Sequence, residues 1–179
     1  MSGGTENAGT ADGGPACTLP HPPAEAPARW RRTWSGGAIT PDHGVVAAVA
    51  DSVMASLQGD GTSELTEGQL AQLAFVYGGT VLQSALDLVD RRAVTAHLSP
   101  SGPPLYTVAG SQGREYLILP RSNFCECEAY RFQVLKAEQI MCKHVLAVRI
   151  AAETGLITTT AVSDASVPEL ICGSTDAGL

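Results

Sequence analysis

Cys125-Glu126-Cys127, a gap of fourteen residues, and then Cys142-Lys143-His144 put four soft metal ligands into one stretch of 20 residues. Three thiolates and an imidazole make the closed, tetrahedral set that structural zinc favours. The spacing is physically reasonable for one ion. Residues two apart on an extended strand point to the same side, so Cys125 and Cys127 are expected to face the metal from the end of a strand. In a helix the same spacing would direct them far apart. Cys142 is then expected just ahead of a helix beginning near Lys143, with His144 in the first turn, where the helix N-terminus also favours a thiolate.

Other uses of these cysteines fit less well. A Cys-x-Cys pair is too short to close comfortably as a disulfide. A Cys/His catalytic dyad needs one cysteine and leaves two unexplained. Iron-sulfur ligation wants four cysteines, and Cys17 and Cys172 lie in low-complexity termini. The predicted metal ligands are Cys125, Cys127, Cys142 and His144, and no catalytic residue is assigned. Four protein ligands leave no open position for substrate, so the site is expected to be structural.

The rest of the chain divides into four parts. Residues 1–42, rich in Gly, Ala, Pro and Thr, are expected to be a disordered arm, because they cannot bury enough apolar surface to offset their ordering entropy. No basic region followed by an apolar run marks a secretory signal, and Val45 to Ala50 is too short to span a bilayer. A soluble intracellular protein is expected, in a compartment where thiols stay reduced.

Residues 43–92 read as a helical region. Val45, Val46, Val49, Val53, Met54 and Leu57 recur at helical spacing up to Gly59-Asp60-Gly61. A second helix is expected after Thr66, with Leu70, Leu73, Ala74 and Tyr77, stopping at Gly78-Gly79. A third carries Val81, Leu82, Ala85, Leu86 and Val89 on one face. These stripes either pack on one another and on the sheet or leave one face for a partner.

Over residues 93–155 the pattern becomes β-rich in three runs, Val94 to Leu98, Leu105 to Ala109 and Glu115 to Leu119, separated by turn residues. A three-stranded antiparallel meander leading into the metal ligands is predicted, closed by a helix with Val145, Leu146, Val148 and Ile150 around the single charge of Arg149. Residues 156–179 read as a flexible tail with no element beyond a weak segment from Val167 to Cys172. The fold class is α+β: N-terminal helices, a small antiparallel meander and a zinc finger closed by a C-terminal helix.

The formal net charge is −7, which argues against a dedicated high-affinity nucleic-acid binder. Arg29-Trp30-Arg31-Arg32-Thr33-Trp34 is a basic and aromatic cluster that would suit unpaired bases and phosphates, or a protein partner, or nothing beyond a solvated tail. The two lysines, Lys136 and Lys143, do not follow glycines, so the sequence has no phosphate-binding loop of the Gly-x-x-x-x-Gly-Lys-Ser/Thr kind. Nucleotide-driven work would have to come from a partner.

Cys-x-Cys-xn-Cys-x-His is the signature of the SWIM zinc finger. From about Phe75 to Ala151, under half of the chain, the sequence resembles the SWIM-domain subunit of Shu-type homologous-recombination complexes. Besides the ligands, Gln83-Ser-Ala-Leu-Asp-Leu-Val-Asp90, Leu105-Tyr-Thr-Val, Phe124-Cys-Glu-Cys-Glu-Ala-Tyr and Cys142-Lys-His-Val-Leu-Ala-Val148 carry the likeness. The bare ligand pattern also occurs in transposase-like, chromatin and ubiquitin-pathway proteins; the Ala85-Leu-Asp-Leu-Val-Asp-Arg91 segment narrows it. The resemblance implies a nuclear, non-catalytic mediator of recombinational DNA repair. It would pair with a RecA-family recombinase paralogue and promote assembly of the recombinase filament on single-stranded DNA, touching DNA through the complex and no membrane. The alternative is an independent zinc-dependent module for nucleic-acid binding or substrate recognition.

Overall fold

The computed structural model describes residues 44–57, 64–110, 113–119, 122–136 and 138–173. The arm over 1–42, the Arg29–Trp34 cluster and Cys17 lie outside the described residues. Helix α1 runs Gly44–Ser56, α2 Glu67–Tyr77 and α3 Gly79–Asp90. Thr66 starts α2 with a capping box. Its Oγ1 accepts from the Gln69 N–H at 3.3 Å, while Gln69 Oε1 accepts from the Thr66 N–H at 2.9 Å. Between α2 and α3 a single residue, Gly78, takes φ +86° and ψ 136°, so the chain changes direction without a loop.

Strands β1 (Val94–Leu98), β2 (Leu105–Ala109), β3 (Glu115–Leu119) and β4 (Phe124–Cys125) follow, then α4 (Lys143–Thr154), β5 (Thr158–Ala161) and α5 (Val167–Gly173). The expected three-strand meander is present but larger. Among the described residues the sheet has five strands in the order β4-β3-β2-β1-β5, antiparallel except where β5 lies parallel to β1. The region read as a flexible tail therefore contributes an edge strand and a helix. Thr158-Thr-Thr-Ala161 gives little hydrophobic signal, and its strand state comes from pairing Thr95 to Leu98, a partner more than sixty residues away.

The core lies where α3 and α4 pack together on one face of the sheet. Alternation places Val94 and Ala96 of β1, Tyr106 and Val108 of β2, and Ile118 of β3 in this core. Helix α4 is apolar nearly all round and buried from His144 to Ala151, as a central helix should be. On α3 the buried residues are Leu82, Ala85, Leu88 and Val89, whereas Val81 and Leu86 are only partly covered. Helix α1 buries Ala50 and Met54 but leaves Val49 exposed. Arg149, in the middle of α4, is buried; its Nη2 donates to Asp51 Oδ1 of α1 at 2.6 Å. No helix among the described residues is long and apolar enough to cross a membrane.

Candidate metal centre

The β3–β4 ladder aims the first ligand. Cys125 sits opposite Ile118, whose side chain is in the core, and so Cys125 also faces α4. The expectation that Cys127 shares this strand is corrected. Strand β4 ends at Cys125, and Cys127 lies beyond it in a bend. The departure is visible at Glu126, whose Oε2 accepts from the Leu117 N–H at 3.2 Å where continued strand pairing would have supplied a carbonyl.

Cys127 instead begins a helical turn that passes into a π-helix over Tyr130–Val134. The backbone N–H groups of Tyr130 and Arg131 donate to the Cys127 carbonyl at 3.1 and 3.3 Å, and the Tyr130 N–H also reaches Cys127 Sγ at 3.3 Å. Cys142 is the N-cap of α4 with an extended backbone (φ −79°, ψ 161°), and His144 lies in the first turn. Two of the three sulfurs thus stand at the starts of helical segments, where the partial positive charge of free N–H groups favours a thiolate.

All four predicted ligands meet. Their ligand atoms lie within 4.8 Å of one another, and all four residues are buried. Cys125 Sγ and His144 Nδ1 are 3.8 Å apart. A tetrahedral zinc site, with bonds of about 2.3 Å to sulfur and about 2.0 Å to nitrogen, separates its ligand atoms by roughly 3.5 to 3.8 Å. The observed spacing fits a single ion of this kind after a small contraction, and the set leaves no coordination position for a substrate.

Interactions among the thiols divide them unequally. Cys125 is pushed far up because it donates to Cys127 and Cys142 and is buried, and Cys127 is pushed far down because it accepts from Cys125 and Cys142. When bound, a dipositive ion would compensate the charge of all three thiolates, which such a crowded buried cluster cannot otherwise hold.

Aromatic residues brace the ligands. The Tyr116 ring stacks on His144 with centroids 4.2 Å apart and planes 23° from parallel. Phe124 meets Tyr130 edge-on at 5.6 Å, between the first two cysteines and the helical turn. Tyr116 belongs to the same face of β3 as Ile118, and this alternation was a usable signal for its role. The Asp51–Arg149 pair had none, since 98 residues separate its members. Cys172 is exposed and outside the metal cluster.

Comparison with known proteins agrees with this site. The chain is 38% identical over 132 residues to zinc finger SWIM domain-containing protein 7 of Mus musculus, spanning 73% of this chain and 80% of that protein. The protein of the same name in Danio rerio is 36% identical over 129 residues, with 70% and 91% covered. That of Homo sapiens is 33% identical over 130 residues, with 71% and 92% covered. No family model and no solved structure matches the chain. Similarity at this level over most of each relative, together with a buried Cys3His cluster in SWIM order, establishes that the chain belongs to the zinc finger SWIM domain-containing protein 7 family.

Proposed function

We propose that this protein binds one zinc ion through Cys125, Cys127, Cys142 and His144, and that the zinc-locked fold serves as a non-catalytic subunit in homologous-recombination DNA repair. Its partner in this reading is a RecA-family recombinase paralogue in the nucleus, and the complex promotes assembly of the recombinase filament on single-stranded DNA. The observation that carries the reading is the closed Cys3His cluster in a chain of the SWIM domain-containing protein 7 family. Two sequence features support it. A four-ligand site has no position for substrate, and the chain lacks a phosphate-binding loop, so nucleotide hydrolysis falls to the partner. The likeness of residues 75–151 to Shu-type subunits supplies the recombination role.

Native co-purification with elemental analysis tests this reading. The expected result is one zinc per chain and a stable complex with an ATP-binding RecA-family protein, lost with Cys142→Ser. A monomer with strong, salt-sensitive DNA affinity of its own would favour the independent-module alternative. Zinc-free protein that still formed the complex would sink the proposed role of the metal.

A further inference from the structure

Toward the end of α4 the chain stops filling the core. Residues 144–151 are buried without a break, whereas none of residues 152–173 is buried. Gly155 ends α4 in the left-handed region at φ +71°, and Leu156 and Ile157 still pack partly against the core. Strand β5, a 3-10 turn over Asp164–Ser166 and α5 come after that point. Elements with no fully buried side chain gain little from the hydrophobic effect, so polar contacts carry much of their attachment.

One such attachment is the ladder. Thr158–Ala161 pairs in parallel with Thr95–Leu98, and the Val162 N–H donates to the Leu98 carbonyl at 2.9 Å. Another is a clamp just past the strand. Asp164 Oδ1 accepts from the Ser101 N–H at 3.2 Å, and Oδ2 accepts from the Ser101 hydroxyl at 2.7 Å. Both carboxylate oxygens are thus gripped by one exposed residue of the β1–β2 loop, and these contacts hold the Asp164 carboxyl below its ordinary range.

The gripping loop is stiff. Ser99-Pro-Ser-Gly-Pro-Pro104 contains three prolines, and the buried Ser99 accepts through Oγ from the Gly102 N–H at 3.1 Å. A side chain at Gly102 would meet Ser99 Oγ at 2.8 Å, so the turn requires glycine. Ser101 is therefore held in place whether or not Asp164 is docked on it.

We propose that residues 158–173 form a detachable strap over the β1 edge, which opens as a unit while the core stays folded, and that the Ser101–Asp164 clamp governs its opening. Opening bares a row of backbone N–H and C=O groups on β1 that β5 covers when closed. The metal centre is left out of this motion, since Cys125 lies on β4 at the opposite edge of the sheet. A change of charge at the clamp is enough to release it, because an anionic group on Ser101 would face the Asp164 carboxylate. The strap does not depend on the recombination role proposed above.

The test is hydrogen exchange, read by mass spectrometry on zinc-loaded full-length protein. In the wild type the segment from Thr158 to Val162 should exchange at least about tenfold faster than that from Leu146 to Ile150. Ser101→Ala and Asp164→Asn should each speed exchange of the strap about three- to tenfold, the range for a lost hydrogen bond at an exposed site. The double variant should do no more than either single one, because both remove the same contact. Ser101→Thr, which keeps the hydroxyl, should behave as wild type, and Ser101→Asp should open the strap further than Ser101→Ala. Exchange from Leu146 to Ile150 and zinc content should stay unchanged throughout. Strap exchange as slow as that of α4, no effect of either clamp variant, or additive effects in the double variant would overturn the proposal. So would a matching loss of protection in α4 or a loss of zinc, since the segment would then belong to the cooperative core.

Discussion

Chelation of the metal should open the ligand segment and leave α4 in place. The motif alone suggests that everything from Phe124 to Ile150 depends on zinc, but core packing divides this span. Val145, Leu146, Val148 and Ile150 are each at most 1% exposed. At about 1.5 to 3 kcal/mol per buried aliphatic side chain, they anchor α4 by roughly 6 to 12 kcal/mol, as an upper estimate, with no contribution from the ion. The ligand segment has much less of its own. Strand β4 is two residues long, and Phe132 and Leu135 are 58% and 55% exposed. Structural zinc supplies apparent binding free energies of about 10 to 16 kcal/mol in small peptides, and here that stabilisation falls on the weakest part of the fold. Hydrogen exchange read by mass spectrometry, before and after a zinc chelator, is the assay. Amides of Cys125, Tyr130, Arg131 and Leu135 should lose protection, while those from Leu146 to Ile150 keep it. Loss of protection across α3 and α4 to the same extent as the ligand segment would refute the reasoning, because zinc would then hold the whole core.

Asp51→Ala should destabilise the protein by about 1 to 3 kcal/mol in urea, the range for a hydrogen bond to a charged group; Asp51 is half exposed, so water can partly replace it, and no measurable change would contradict the assigned pairing with Arg149. Burial pushes the Tyr77 and Tyr106 hydroxyls from 10.0 up to about 12. Their folded values are raised, so this contribution is full below pH 10 and is lost as pH rises through 12, each on the order of 2 to 3 kcal/mol. Because Tyr77 Oη is buried without a hydrogen-bond partner among the described residues, Tyr77→Phe should leave neutral-pH stability within about 1 kcal/mol of wild type or raise it, and should lessen the alkaline loss; a large neutral-pH loss would reveal a missing partner. Cys172→Ser should leave zinc stoichiometry unchanged while Cys142→Ser abolishes it, as measured by elemental analysis.

The metal ligands were legible because their chemistry is local. Cys142 and His144 could be placed at a helix start from their spacing, and the structure puts them there. The geometry of Cys127 was not legible. An alternation rule assumes that a strand continues, and nothing in Cys125-Glu126-Cys127 announces that pairing stops after two residues and that a π-helical turn follows. Helices α2 and α3 were delimited by Thr66 and the Gly78-Gly79 pair, since capping and positive φ act within a few residues.

The sequence by itself determined which side chains could hold a metal, the α+β order of elements as far as α4, and the Val/Leu/Ala stripes that form the core. These depend on residue type and short-range periodicity, which the chain carries wherever it folds. Only the tertiary structure decided that a threonine run becomes the parallel edge strand, that Asp51 answers the buried charge of Arg149, and that Tyr116 stacks on the metal ligand His144 beside an open recess. Each of these joins segments far apart in the chain, and a contact of that kind exists only once the core has fixed both partners in space.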